Sequence, residues 1–189
     1  LSEMQKTLGG LDRDVLNAYM NAYLAELTGK DSALKYANSL WIDSRLDVKT
    51  SFLQKNADFY SAQAYKADFT RKNTVNEINS WVNKNTNGMI KKLVDEFDPL
   101  TVMVLMNALC LEAEWDDPYT DNCVREGTFK NAKGNLVKAE YMYSQETEYI
   151  ETENATGFVK YYKGGKFAFV ALLPNEGTSI DSYIASLTG

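Results

Sequence analysis

The chain has 189 residues, enough for one domain of ordinary size, and 44% of them are hydrophobic and 12% aromatic, which can fill a large core. Its 20 Lys and Arg against 26 Asp and Glu give a net charge of −6 with no basic-dense segment, so neither nucleic acid nor an anionic membrane surface is an expected partner. Histidine is absent, which removes Ser-His-Asp and Cys-His catalysis and every imidazole metal site, and the two cysteines, Cys110 and Cys123, are too few for a four-cysteine zinc site or a disulfide scaffold.

The chain opens at Leu1 rather than Met and carries no signal-peptide pattern, which predicts a processed, trimmed or partial chain. From Asp12 to Leu27, apolar residues Leu16, Tyr19, Met20, Tyr23, Leu24 and Leu27 recur at spacings of three and four, one face of a helix closed by Gly29. Within 33–43, Leu40-Trp41-Ile42 reads as a short buried strand. A helix is predicted over Val48–Tyr60, capped by Asp47, with Phe52, Leu53, Phe59 and Tyr60 inward. Alternation through Ala62, Ala64, Ala67 and Phe69 predicts a further strand.

Thr74 followed by Glu77 has the pattern of a capping box, opening a helix that buries Val75, Ile78 and Val82 and breaks near Asn87-Gly88, with a short continuation holding Ile90 and Leu93. Thr101–Leu111 is nearly all apolar and is expected in a sheet interior, covered on both faces. The uncharged stretch Leu100–Leu111 has 12 residues, short of the ~18 needed to span a bilayer, so no membrane partner is expected. Beyond Pro118 strands take over: Val124–Phe129 and Leu136–Tyr143 around a turn at Asn131–Asn135, then a turn at Glu153–Gly157, then Phe158–Tyr162 and Phe167–Leu173. A last helical turn is expected over Ser179–Leu187. Helices early and strands late predict an α+β fold.

Chemistry-bearing patterns are sparse. Glu112, Glu114, Asp116 and Asp117 surround Trp115, and Glu146, Glu148, Glu151 and Glu153 share a strand-rich stretch, but neither group has the framing of a glycosidase pair or a calcium loop. They read as hydrated acids. Gly29-Lys30 and Gly165-Lys166 lack the Ser or Thr and the upstream Gly of a phosphate loop, and no Gly-x-Ser-x-Gly elbow occurs. Cys110 reads as inert packing. Asn154-Ala155-Thr156 fits a glycosylation acceptor if a eukaryotic secretory pathway makes the protein. No cofactor or metal is expected, and binding or regulation is favoured over catalysis.

Several motifs occur in one order: Ala37-Asn38-Ser39-Leu40-Trp41; Val75-Asn76, Trp81-Val82 and Thr86-Asn87-Gly88-Met89-Ile90; Leu105-Met106-Asn107-Ala108-Leu109, Trp115 and Pro118-Tyr119; Gly127-Thr128-Phe129, Val137 and Tyr141-Met142; and Tyr162-Lys163-Gly164-Gly165 with Leu172-Leu173-Pro174. In this series the chain resembles the serpin family from Ala37 to its end. It departs where Cys110, Leu111 and Glu112 replace an aromatic pair and a basic residue, and where Tyr119 replaces Phe. Leu1 to Lys30 resembles the family only loosely and has no basic stripe, so heparin binding is not expected.

The resemblance implies a serpin-like α+β fold, helices packed on a large mixed or antiparallel sheet plus a second strand-rich sheet. It is a partial fold: residues 1–189 as one partial domain, with 1–98 mainly helical and carrying two strands of the central sheet, and 99–189 supplying the central strand, a hairpin and second-sheet strands. It implies a suicide-substrate inhibitor of serine or cysteine proteases, in which a cleaved reactive loop, outside this chain, enters the sheet beside Thr101–Leu111. Asn107, as a buried polar residue, Trp115, Thr86, Gly88 and Pro118 are the conformational residues it implies, with none catalytic. The expected partners are a target protease and either the complementary serpin fragment or a second copy, and the expected location is extracellular. Two alternatives stand beside it: a non-inhibitory serpin-like binding or chaperone protein, and an acidic hydrolase using Glu112 and Glu114 or the Glu146–Glu153 group.

Overall fold

Helices dominate the early part of the chain and strands the later part, in the computed structural model, which describes residues 2–29 and 32–187. The chain divides into two units, Leu1–Glu112 and Ala113–Gly189.

The first unit holds α1 (Ser2–Thr7), α2 (Arg13–Leu27), β1 (Leu34–Asp43), α3 (Thr50–Tyr60), β2 (Gln63–Ala67), α4 (Lys72–Asn85) and β3 (Met103–Leu111). Its sheet has the order β2-β1-β3, with β1 parallel to β2 and antiparallel to β3. The parallel pair needs a crossover, and α3 supplies it. Trp41, Ala67, Phe69, Ile78, Trp81, Val82 and Ala108 form the core between α4 and one face of this sheet.

Local signals and structure part company at several points. Asp12, not singled out as a cap by the sequence, caps α2 by accepting from the Asp14 backbone N–H at 2.9 Å. Of the face expected inward, Leu16, Met20, Leu24 and Leu27 are half-buried, but Tyr19 and Tyr23 are exposed and stack on each other at 6.0 Å, while Asn17 is buried and accepts from the Tyr60 hydroxyl at 2.6 Å. Asp47 does not cap α3, which starts after Lys49 without a side-chain cap. The capping box at Thr74 is absent too. α4 begins two residues earlier, the Thr74 hydroxyl donates to the Asp68 carbonyl at 2.7 Å, and Glu77 accepts from Asn73. The buried face Val75, Ile78 and Val82 is as expected, with Trp81 added. The helical continuation is not formed, and Ile90 and Leu93 are exposed.

β3 differs most from expectation. It lies at the sheet edge rather than in the interior, and no described strand pairs with its outer side. Ala108 and Cys110 are buried on the α4 side, but Leu105 and Leu109 on the opposite face are 67% and 62% exposed. Apolar residues on both faces signal burial on both faces, yet within this unit α4 covers only one.

In the second unit a 3₁₀ turn at Asp121–Cys123 leads to the hairpin β4 (Val124–Lys130) and β5 (Leu136–Met142), then β6 (Glu148–Glu151), β7 (Ala155–Tyr161), β8 (Ala168–Pro174) and α5 (Ile180–Ser186). The Asn131 carboxamide closes the β4–β5 turn by accepting from the Lys133 and Asn135 backbone N–H groups. β6, β7 and β8 form an antiparallel sheet in that order. The turn expected at Glu153–Gly157 is shorter than that, because β7 already starts at the fully buried Ala155.

Candidate functional site

The residues singled out by sequence fall into three places. In the first unit, Asn107 lies midway along β3, directly opposite Asn38 of β1. Its Nδ2 donates to Asn38 Oδ1 at 2.9 Å, and Asn38 Nδ2 in turn donates to the Tyr60 carbonyl at 2.9 Å and to the Tyr36 hydroxyl. This amide ladder joins β3 to β1 and β1 to the end of α3. Asn107 is exposed, however, not buried as expected, because it stands on the face of the edge strand that leaves Leu105 and Leu109 open. The polar chain therefore ends at β3.

Thr86 and Gly88 lie at the C-terminal end of α4, also in the first unit. Thr86 is buried; its hydroxyl donates to the Val82 carbonyl at 2.9 Å and accepts from the Ile90 N–H at 3.1 Å. Asn87 and Gly88 take left-handed conformations, φ +49° and +81°, and Gly88 N–H donates to the Asn83 carbonyl at 2.8 Å. Chain reversal after a helix needs this handedness, which Gly adopts freely and Asn tolerates. No hydrogen bond links Thr86 or Gly88 to Asn107.

Trp115 and Pro118 lie in the second unit. Trp115 pairs as an isolated bridge with Tyr162, and the two rings stack at 4.4 Å with 10° between planes. Tyr119 and Phe169 meet the indole edge-on at 6.4 and 6.0 Å. Pro118 is exposed, in the turn that brings Tyr119 back to the indole.

Sequence reasoning missed what these rings enclose. Lys160 on β7 has 3% of its side chain exposed; its ammonium sits 4.7 Å from the Tyr119 ring centroid and 5.7 Å from that of Trp115, and donates to Glu146 at 2.7 Å. The hydrogen bond from Lys160, joined by one from Ser144, holds the Glu146 carboxyl below its ordinary range, and the same bond holds the Lys160 ammonium above its own. A lysine on an otherwise apolar strand whose neighbours are aromatic was the available signal.

The other carboxylates read as expected. Glu112 and Glu114 are exposed, Glu114 pairing with exposed Lys163, and Glu148 accepts from the Tyr161 hydroxyl. Glu146 is the exception, being half-buried and ion-paired rather than hydrated. A general acid needs a raised carboxyl pKa, and the shift at Glu146 has the opposite sign. Among the described residues no group of three His, Cys, Asp or Glu is placed to hold a metal ion, and no helix is long and apolar enough to cross a membrane.

The family model for serpin (serine protease inhibitor) matches residues 1–189. Serpin-ZX of Arabidopsis thaliana is 34% identical over 146 residues, covering 72% of this chain and 37% of that protein. Thyroxine-binding globulin of Sus scrofa is 32% identical over 154 residues, 78% of this chain and 37% of its own. Among solved structures, the thermophilic serpin tengpin in its native state superposes with a TM-score of 0.92 at 41% identity, over 100% of this chain and 49% of tengpin. The chain thus spans about half the length, or less, of these relatives. A mixed sheet crossed by α4, the strand-rich second unit and a family match along the full length agree: the chain belongs to the serpin family.

Proposed function

We propose that this chain is part of a protease inhibitor that acts as a suicide substrate, taking up a cleaved reactive loop as a new strand beside β3. The outer edge of β3 carries this reading. It offers a strand of nine residues with its outward backbone groups unpaired by any described strand, and alternating apolar side chains on either side. An edge of that kind is a template for strand addition. The chain is then a protein substrate and trap rather than a hydrolase, in keeping with the ion-paired state of Glu146 and the exposure of Glu112 and Glu114.

The test uses the purified full-length protein, its intact mass first measured under denaturing conditions, then incubated with serine and cysteine proteases and run on denaturing gels. A covalent protease complex that survives denaturation is expected. Cleavage in an exposed loop with no such complex overturns the reading.

A second reading, a non-inhibitory binding protein, is favoured by the likeness to thyroxine-binding globulin. The second unit holds a concavity of about 660 Å³ lined by Tyr119, Tyr143, Tyr149, Phe158 and Leu172, apolar enough for an aromatic ligand. Quenching of tryptophan emission by thyroxine, used as a probe, that is lost in Trp115→Phe supports it; emission unchanged at saturating concentrations, or quenching that persists in Trp115→Phe, counts against it.

A further inference from the structure

Asn87 does more than turn the chain. Its Oδ1 accepts from Lys35 Nζ at 3.2 Å, and its Nδ2 donates to Glu112 Oε2. Lys35 belongs to β1 and Glu112 directly follows β3, so a single amide ties the end of α4 to two strands of the sheet. Beside it, the Met89 thioether lies 4.0 Å from the thiol of Cys110, which is buried. Asn87-Gly88 is also the one Asn-Gly pair in the sequence. In such a pair the residue whose backbone nitrogen can attack the asparagine side chain has no Cβ to hinder the approach. In the closed helix end that nitrogen is engaged, since Gly88 N–H donates to the Asn83 carbonyl at 2.8 Å.

We propose that Asn87 is a self-modification site gated by opening of the C-terminal end of α4. When the end opens, the Gly88 nitrogen attacks Asn87 Cγ. A C–N bond forms, closing a succinimide, and the side-chain nitrogen leaves as ammonia with the proton from Gly88. Water then opens the ring to aspartate or isoaspartate. Either product places a carboxylate where the amide donated to Glu112, turning a hydrogen bond into a like-charge contact. Lys35 can pair with the new carboxylate, but an exposed ion pair of this kind is worth little and does not restore the bond to Glu112. Isoaspartate also lengthens the backbone inside the turn that Gly88 closes. An opening long enough to react therefore leaves the helix end unlatched.

The experiment follows two rates in the folded full-length protein, with Cys123→Ser so that Cys110 is the one thiol within these 189 residues, each site being read by peptide mapping. Deamidation at Asn87 is read by peptide mapping, and labelling of Cys110 by a thiol reagent, over temperatures below unfolding. The two rates are expected to rise together, with deamidation at least tenfold slower than in the denatured chain. Asn87→Asp should speed Cys110 labelling severalfold, and adding Glu112→Gln should reverse most of that. The proposal is overturned if the folded chain deamidates as fast as the denatured one, or if Asn87→Asp leaves Cys110 labelling unchanged. Should Asn87→Asp fold poorly, the comparison of the two rates in the otherwise native chain decides alone.

Discussion

Lys160 is the residue on which the second unit stakes most. A buried ammonium is tolerated only while its partner stays ionised and close, and Glu146 meets both conditions. Glu146→Gln leaves the cation without its counter-charge, and a loss of about 2 kcal/mol is expected in chemical denaturation. The pH dependence has a definite sign. The lowered carboxyl contributes stability that is full above the ordinary glutamate range and is lost as pH falls through the depressed folded-state value. The raised Lys160 contributes below the ordinary lysine range and loses that contribution as pH rises through its folded-state value. Melting temperatures of wild type and Glu146→Gln should therefore differ at neutral pH and converge in acid; a constant gap would show that the pair is not the cause. Gly157 is the other exacting position. A Cβ there would stand 2.1 Å from the Ala171 carbonyl oxygen, so the β7–β8 approach needs glycine. Gly157→Ala should cost about 3 kcal/mol and raise amide exchange along β8 first.

At the scale of elements, α4 shows what a pattern does and does not encode. Its buried face was legible because Val75, Ile78 and Val82 recur at helical spacing, and packing against the sheet enforces that spacing whatever the ends do. Its start was not legible, because a threonine hydroxyl can donate as well as accept, and here it donates to the Asp68 carbonyl from inside the first turn instead of accepting from the N–H groups of the helix start. Its end was legible, because left-handed backbone after a helix selects Asn and Gly. Ile78 is fully buried between helix and sheet, so Ile78→Ala should destabilise the first unit by about 3 kcal/mol, with faster exchange throughout α4. If only the last turn of α4 responds, the helix is held by its end rather than its face.

For the whole molecule, the surface matters as much as the core. Leu105 and Leu109 lie open on an edge strand, and Leu136, Tyr149, Leu172 and Leu173 are exposed in the second unit. Such surface drives association. Leu105→Lys with Leu109→Lys should raise the concentration at which the chain self-associates in sedimentation velocity without lowering its melting temperature; unchanged association would clear this edge. Which strands lie where in the sheet was beyond the sequence, because Thr101–Leu111 is apolar on both faces whether or not a neighbour is present. Trp115 and Asn107 could be named from motif order, but the Lys160–Glu146 pair could not. It depends on a long-range meeting that no local spacing encodes.

The register of β1 against β3 also bears on how the protein is made. β1 finds β2 about 25 residues on, across the short α3 crossover, but its partner in β3 begins about 60 residues after β1 ends. At about 5–20 residues per second of synthesis, β1 waits several seconds or longer with its other edge unsatisfied. A nascent chain carrying Trp41 and Ile42 in a half-paired strand is the kind of segment holding chaperones bind, and a synonymous pause placed before Met103 would lengthen that exposure. The order of emergence, helix crossover first and antiparallel closure last, makes β3 the step that commits the first unit to its fold.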